Sequence, residues 1–242
     1  MKTLLVGDLH LKMSLVLPIV EEKSNEFNCQ RVILLGDYMD AHGQQDNLRL
    51  YAFELQFLID WKQKMQSRGF EIITLVGNHD APYLIERPEI FSTQNIDLFW
   101  AINENLLGLR LQVAYWLDDI LVSHAGFCFD EEPKEWYFET ITDNEIIDLV
   151  DLQEKVGISR GGQAKFGSPL WADYNKDLIP FPNPKYLKQI IGHTPQEKIS
   201  FKLPMIPIDT FSMGNGELLM YDDESKYLSI IKTSWKSDKN QD

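Results

Sequence analysis

Five short apolar runs constrain this chain more than any other feature, because each stops abruptly at a Gly or Ser and is followed at once by residues able to bind metals. Residues 3–6 run into Gly7-Asp8, 31–35 into Gly36-Asp37, 71–76 into Gly77-Asn78, 120–122 into Ser123-His124, and 187–191 into Gly192-His193. Uninterrupted apolar runs of this length suit strands buried on both faces. Between the second and third runs, residues 47–66 place Leu50, Phe53, Phe57, Leu58, Trp61 and Met65 at steps of three and four. That spacing predicts a helix packed on a sheet, with Arg68-Gly69 as its stop. A shorter helix is expected over 18–27, with Pro18 in its first turn, where the missing N–H costs nothing. Strand, helix, strand, helix, strand is the alternation of βαβ units. Toward the C-terminus, residues 205–209, 217–221 and 227–232 read as strands joined by Gly- and Asp-containing turns, which are hairpin connections and make the sheet mixed.

One region breaks this rhythm. Over residues 130–151 acids greatly outnumber bases, with Trp136, Tyr137 and Phe138 interspersed, and SRGGQAKFGSPLWADY (159–174) and Pro180, Pro182 and Pro184 follow. Two readings apply, an excursion packed on the rim or a partial lid over the site. With no internal repeat, low-complexity tract or long linker, the expected organisation is one domain over 1–235. It carries a rim or lid insertion at about 130–186, and residues 236–242 form a polar tail.

The charge balance, 23 Lys and Arg against 37 Asp and Glu for a net −14, opposes any broad cationic surface, so no extended nucleic-acid binding is expected. A local cation can still overrule that field for a single substrate phosphate. Cys29 and Cys128 lack the spacing of a zinc knuckle or redox pair and read as reduced, buried thiols. The N-terminal apolar run ends at Asp8, too early for a secretory signal, and no stretch approaches the roughly 18 apolar residues of a membrane span. The expectation is a cytoplasmic protein with no membrane partner and an oligomeric state the sequence leaves open. At 242 residues, 44% hydrophobic and 25% charged, the chain is neither disordered nor a fibrous or disulfide-stapled scaffold.

In open α/β sheets ligands collect beyond the carboxyl ends of strands. The five runs deliver Asp8 and His10, then Asp37 and Asp40, then Asn78, His79 and Asp80, then His124, and finally His193. Four of the five histidines are therefore candidates for one cluster. Carboxylates mixed with imidazoles and an amide oxygen suit borderline divalent metals such as Mn, Fe, Zn, Co or Ni. Singly, D-x-H is a common turn and GNHD a helix-capping turn. The whole ordered series after apolar strands points to one metal site.

The motifs GDLH (7–10), GDYMD (36–40), GNHD (77–80), SHAG (123–126) and GHTP (192–195) resemble those of the calcineurin-like metallophosphoesterases. Within that superfamily, GHTP and SPLWAD (168–173) are most similar to the branch of serine/threonine phosphoprotein phosphatases and symmetrical dinucleoside-polyphosphate hydrolases. The resemblance spans Gly7 to at least Asp209. It implies an α/β fold of two mixed β-sheets packed as a sandwich flanked by helices, with two divalent metal ions, manganese foremost, at the strand ends. It further implies that Asp8 and His10 hold one metal, Asn78, His124 and His193 hold the other, and Asp37 bridges them. His79 would be the general acid, oriented by Asp40. The chemistry is consistent: two metals about 3.5–4 Å apart activate a bridging hydroxide for in-line attack, and an imidazolium held by a carboxylate protonates the leaving alkoxide.

Two departures stand out. Ala41 and His42 follow Asp40 where the protein phosphatases usually carry a phosphate-clamping arginine, and no arginine lies beyond Arg160. Arg160, in SRGG, is the candidate replacement, since a guanidinium fork matches phosphate oxygens; the alternative is a surface arginine in a turn. His42 reads as a solvated turn residue, Trp171 as core, and Asp80 as support for a ligand. No Walker loop, no Cys followed six positions on by Arg, no Asp-x-Asp and no GxSxG occur, so covalent phosphoryl chemistry is disfavoured.

The resulting expectation is a metal-dependent phosphoesterase, foremost a phosphatase on phosphomonoesters of a protein or small molecule. The alternatives are a nucleotide or dinucleoside-polyphosphate hydrolase or phosphodiesterase, and a non-catalytic metal-binding scaffold. Asn78 and Arg160 would also contact the phosphate.

Overall fold

A computed structural model describes residues 1–201 and 204–235, so the polar tail expected at 236–242 lies outside the described residues. Strands β1 (Lys2–Val6), β2 (Arg31–Leu34) and β3 (Glu71–Thr74) are parallel, and β8 (Leu218–Asp222) and β9 (Tyr227–Ile231) extend them antiparallel in the order β3-β2-β1-β8-β9. A second sheet runs β4-β5-β6-β7, from Ala114–Leu117, Ile120–Ser123, Gln189–Ile191 and Met205–Pro207. Its β4-β5 pair is antiparallel and the rest parallel. Both sheets are therefore mixed.

Alternation along β1 and β2 sets the layers. Leu4, Val6, Val32 and Leu34 join a core with Val16 and Val20 of helix α1 (Met13–Glu26) and Leu58 and Trp61 of helix α2 (Leu48–Ser67). Leu5 and Ile33 turn the other way and pack with Val122, Ile190 and Ile206 of the second sheet. A third cluster, including Phe166, Ala172, Leu178, Ile191 and Met205, packs against that sheet. The result is a two-sheet sandwich flanked by helices, the fold that the family resemblance implies. No helix among the described residues is long and apolar enough to cross a membrane, and Cys29 and Cys128 are buried and free.

Three elements differ from expectation. Helix α1 starts at Met13, so Pro18 lies inside it rather than in its first turn. The earlier start is anchored from α2: the Ser14 N–H and hydroxyl donate to Glu54 at 2.7 and 2.6 Å. Pro18 then forfeits only the bond to the Ser14 carbonyl. In α2 the buried stripe is Tyr51, Leu55, Leu58, Trp61 and Met65, while Phe53 is 58% exposed. The face is set by Tyr51, whose hydroxyl reaches Asp40. Only β8 and β9 form the expected C-terminal hairpin, because β7 pairs parallel with β6 in the other sheet. Helices α3 (Ala81–Leu84), α4 (Ile96–Gly108) and α5 (Ile146–Glu154) complete the set. The acidic excursion contributes Tyr137, Ile141 and Leu149 to the main core.

Glu54→Ala leaves two half-buried donors of Ser14 without their carboxylate, and is expected to lower stability by about 1–3 kcal/mol in urea unfolding with an unchanged m-value.

Candidate metal and catalytic site

The carboxyl ends of β1, β2, β3, β5 and β6 bring the predicted residues together, and the local backbone is strained to do so. His10, Asp37, Asp40 and His193 hold φ values of 41°, 52°, 59° and 59°, a region that non-glycine residues seldom adopt. Asp80 supports this geometry: its buried carboxylate accepts the backbone N–H groups of Asp37, Tyr38, Met39 and Gly77 at 2.7–3.1 Å. Gly77 is required beside it, because a Cβ there would lie 2.1 Å from Asp37 Oδ1. The His79 N–H donates to that same Asp37 oxygen at 2.9 Å.

Backbone carbonyls fix two histidine tautomers. His10 Nδ1 donates to the Asp40 carbonyl at 2.8 Å, and His124 Nδ1 to the Leu35 carbonyl at 2.9 Å. Each ring therefore turns the lone pair of its Nε2 inward. His10 Nε2 meets Asp37 Oδ2 at 3.5 Å and Asp8 Oδ2 at 3.9 Å. His124 Nε2 meets Asp37 Oδ2 at 3.5 Å, Asn78 Oδ1 at 3.0 Å and His193 Nδ1 at 3.2 Å. Lone pairs facing carboxylate and amide oxygens at these distances have no proton to share, which is the arrangement a cation resolves.

The donor atoms form two groups that both contain Asp37: His10, Asp37 and His79, and Asp37, His124 and His193. Asp8 sits behind them, accepting the His193 N–H at 3.0 and 3.1 Å.

The electrostatics agree. Burial, Asp209 and Asp37 push the Asp8 carboxyl well above its usual range. Burial likewise raises Asp209 to about 6, and its Oδ2 is buried without a hydrogen-bond partner. Asp37 goes the other way: burial would raise it, but His124, His79, His10 and His193 outweigh that and hold it low. Burial depresses His10, His124 and His193, keeping their ligand form available. Crowded carboxylates facing readily neutral imidazoles leave a deficit of positive charge among these donors. Oxygen and nitrogen donors in this mixture fit borderline divalent cations.

Cation binding to such a cluster is linked to pH. In stripped protein a raised Asp8 pKa stabilises only while the group is protonated, and that contribution is lost as pH rises through the folded pKa. Cations bound beside it would hold the carboxylate ionised and expel its proton. The rise in Tm on adding Mn²⁺ is therefore expected to grow between about pH 5.5 and pH 8; a gain that shrinks over this range would contradict the assignment.

Beside this cluster, His79 Nδ1 lies 3.3 Å from Asp40 Oδ2. Burial opposes charge on His79, but Asp37, Asp40 and Asp80 more than offset it and raise its pKa. Asp40 Oδ1 accepts the hydroxyls of Tyr51 at 2.7 Å and Tyr83 at 2.6 Å, leaving Oδ2 to the imidazole. The Phe91 ring packs 4.2 Å from that of His79.

Trp171 packs half-buried against the main core, as read from the sequence, and it also borders the site. Its ring stands 5.8 Å from His193, and its Nε1 donates to Gln153, whose own amide donates to the Asn78 carbonyl. Arg160 reaches the GHTP loop, with Nη2 on Thr194 Oγ1 at 3.0 Å and Nε on Asp173 at 3.1 Å. His42 is exposed but lines the cavity at His79.

Tyr51, Tyr83, Gln153, Phe91 and Asp209 were not singled out as site residues. Asp209 carries the signal that served elsewhere, a polar residue just after an apolar strand. The larger cavity, 870 Å³ and lined by Asp118, Phe201, Tyr221 and Tyr227, lies at the opposite ends of the strands, where the Tyr221 hydroxyl and the Lys226 ammonium both donate to Asp118.

The family model of the calcineurin-like phosphoesterases matches residues 1–197. The chain belongs to that family. It is accordingly a phosphate-ester hydrolase with the family's two-sheet fold. No curated protein matches it. Among solved structures, it is similar to the cold-active protein tyrosine phosphatase of a psychrophilic Shewanella species. That match has a TM-score of 0.53 and 16% identity, covering 96% of this chain and 80% of the other. A protein serine/threonine phosphatase from Saccharomyces cerevisiae gives a TM-score of 0.52 at 15% identity, covering 98% and 81%. At these identities the likeness establishes the fold.

Proposed function

We propose that the protein is a dinuclear phosphoesterase acting foremost on phosphomonoesters, with Asp8, His10 and Asp37 holding one cation and Asp37, Asn78, His124 and His193 the other. The observation that carries this reading is the pair of carbonyl-fixed imidazoles whose Nε2 lone pairs both face Asp37 Oδ2 at 3.5 Å. Two divalent cations there would supply the Lewis acidity that activates water and neutralises phosphate charge. His79, held by Asp40, donates the proton to the departing oxygen. Asn78 and Arg160 bind the phosphate from the side of His124 and His193. Manganese is the proposed ion among those this donor set suits, and the cytoplasm the proposed compartment.

The test is hydrolysis of p-nitrophenyl phosphate and bis-p-nitrophenyl phosphate by chelator-stripped protein given Mn²⁺, Ni²⁺, Co²⁺, Zn²⁺ or Mg²⁺. Metal-restored turnover favouring the monoester is expected. Absence of turnover with every ion in protein shown to bind two would overturn the reading, and preference for the diester would reassign the substrate. Arg160→Ala is expected to raise KM about tenfold with a smaller change in kcat, because a charge-assisted contact to the bound phosphate is lost in ground and transition states alike.

A further inference from the structure

Strand β7 ends as the donor-bearing strands do, yet the carboxylate it delivers stands outside the two donor groups that share Asp37. Asp209 follows Pro207, the last residue of β7, by two positions, just as Asp8 follows Val6 at the end of β1. Parallel pairing of β7 with β6 sends it to the same strand ends as His193. The first and last of these segments touch there, since a Cβ on Gly7 would lie 2.7 Å from Asp209 Cα. That contact seats Asp209 beside Asp8, and Asp209 is the charge that acts most strongly on the Asp8 carboxyl.

The side chain is anchored through one oxygen. Oδ1 accepts the Ser212 hydroxyl at 2.8 Å, and the Asp209 carbonyl accepts the Gln196 N–H at 2.7 Å. Oδ2 is buried with no hydrogen-bond partner, in a residue only 1% exposed. Lys12 offsets part of the charge without a hydrogen bond to that oxygen. A carboxylate oxygen left in this state is costly unless a cation, or water held by one, meets it. Ser212 lines the cavity that His10 and His79 also line, which puts the Asp209 loop on the His10 side of the cluster.

We propose that Asp209 is a positioning residue of the cation site at Asp8 and His10, where its unpaired Oδ2 serves the hydration shell of that cation and makes this the tighter of the two positions. The proposal rests on the dinuclear reading of the site. With Asp209 the first position gathers Asp8, Asp209 and the shared Asp37, whereas the second sets Asp37 among the uncharged Asn78, His124 and His193. A divalent cation meets more negative charge at the first, so the two positions fill in sequence. Ser212 holds Oδ1, which fixes the carboxylate in the orientation that leaves Oδ2 unpaired.

The experiment titrates Mn²⁺ calorimetrically into chelator-stripped wild type, Asp209→Asn and Ser212→Ala. Two steps are expected in the wild type. Asp209→Asn keeps an acceptor for Ser212 and is expected to weaken the tighter step about 10–100-fold, the usual cost of losing a group that orients a ligand. Ser212→Ala leaves Oδ2 in place and is expected to hold both affinities within about threefold of wild type. Crystals given one equivalent of Mn²⁺ locate the step: the anomalous peak is expected beside Asp8 and His10 in the wild type, and divided between the two positions in Asp209→Asn. Unchanged affinities in Asp209→Asn, an equal loss in Ser212→Ala, or a first cation found beside His124 would each overturn the proposal while two bound cations leave the dinuclear reading intact. A wild type that binds no Mn²⁺ would overturn that reading and the proposal with it.

Discussion

Replacing His79 by Asn is expected to lower kcat on p-nitrophenyl phosphate by about 10²–10⁴-fold while the protein still binds two cations. The side chain sits in a position that distinguishes a proton donor from a ligand. Its Nδ1 is 3.3 Å from Asp40, and Asp40 is in turn held by two phenolic hydroxyls. A carboxylate anchored in this way stabilises the imidazolium that must give up a proton to the leaving oxygen. His79 also falls within one of the two donor groups, with His10 and Asp37. The variant resolves this overlap: loss of turnover with both cations retained makes His79 the acid, and loss of a cation makes it a ligand. The defect should be smaller with a substrate whose leaving group needs no proton.

Asp37→Ala is expected to have the largest effect on the site, removing cation binding at both positions and abolishing metal-restored turnover. Its carboxylate belongs to both donor groups, and its Oδ2 is 3.5 Å from His10 Nε2 and from His124 Nε2. Changing a residue that merely orients a ligand typically costs 10–100-fold in metal affinity. Loss of a shared ligand should exceed that at both positions, and calorimetric titration with Mn²⁺ would show it. Retention of one site at near wild-type affinity would mean that Asp37 serves only one cation. Asp80→Asn is the informative partner, since Asp80 touches only backbone N–H groups and would loosen the site without removing a donor.

Much of this site was legible in the sequence because strand ends are sharply punctuated. Asp8, Asp37, Asn78, His124 and His193 each follow an apolar run by one or two residues, and parallel pairing of β1, β2 and β3 and of β5 and β6 brings those ends together. The supporting residues were harder to see. Tyr51 lies on a helix with two overlapping apolar stripes, and only a tertiary contact with Asp40 decides which one is buried. Gln153, near the end of α5, and Trp171, in the irregular segment after it, approach Asn78 and His193 from a long excursion whose path no periodicity encodes. The same competition moved the start of α1, where Glu54 on a distant helix supplies acceptors for Ser14 that local propensity does not provide. Pairing β7 with β6 rather than with β8 depends on which sheet completes its core, a choice made between two equally apolar faces.

Anomalous scattering from crystals grown with Mn²⁺ tests the central claim most directly. Two manganese peaks per chain are expected on either side of the Asp37 carboxylate, one within coordination distance of His10 and Asp8 and the other of Asn78, His124 and His193. A single peak, or two that do not share Asp37, would contradict the dinuclear site.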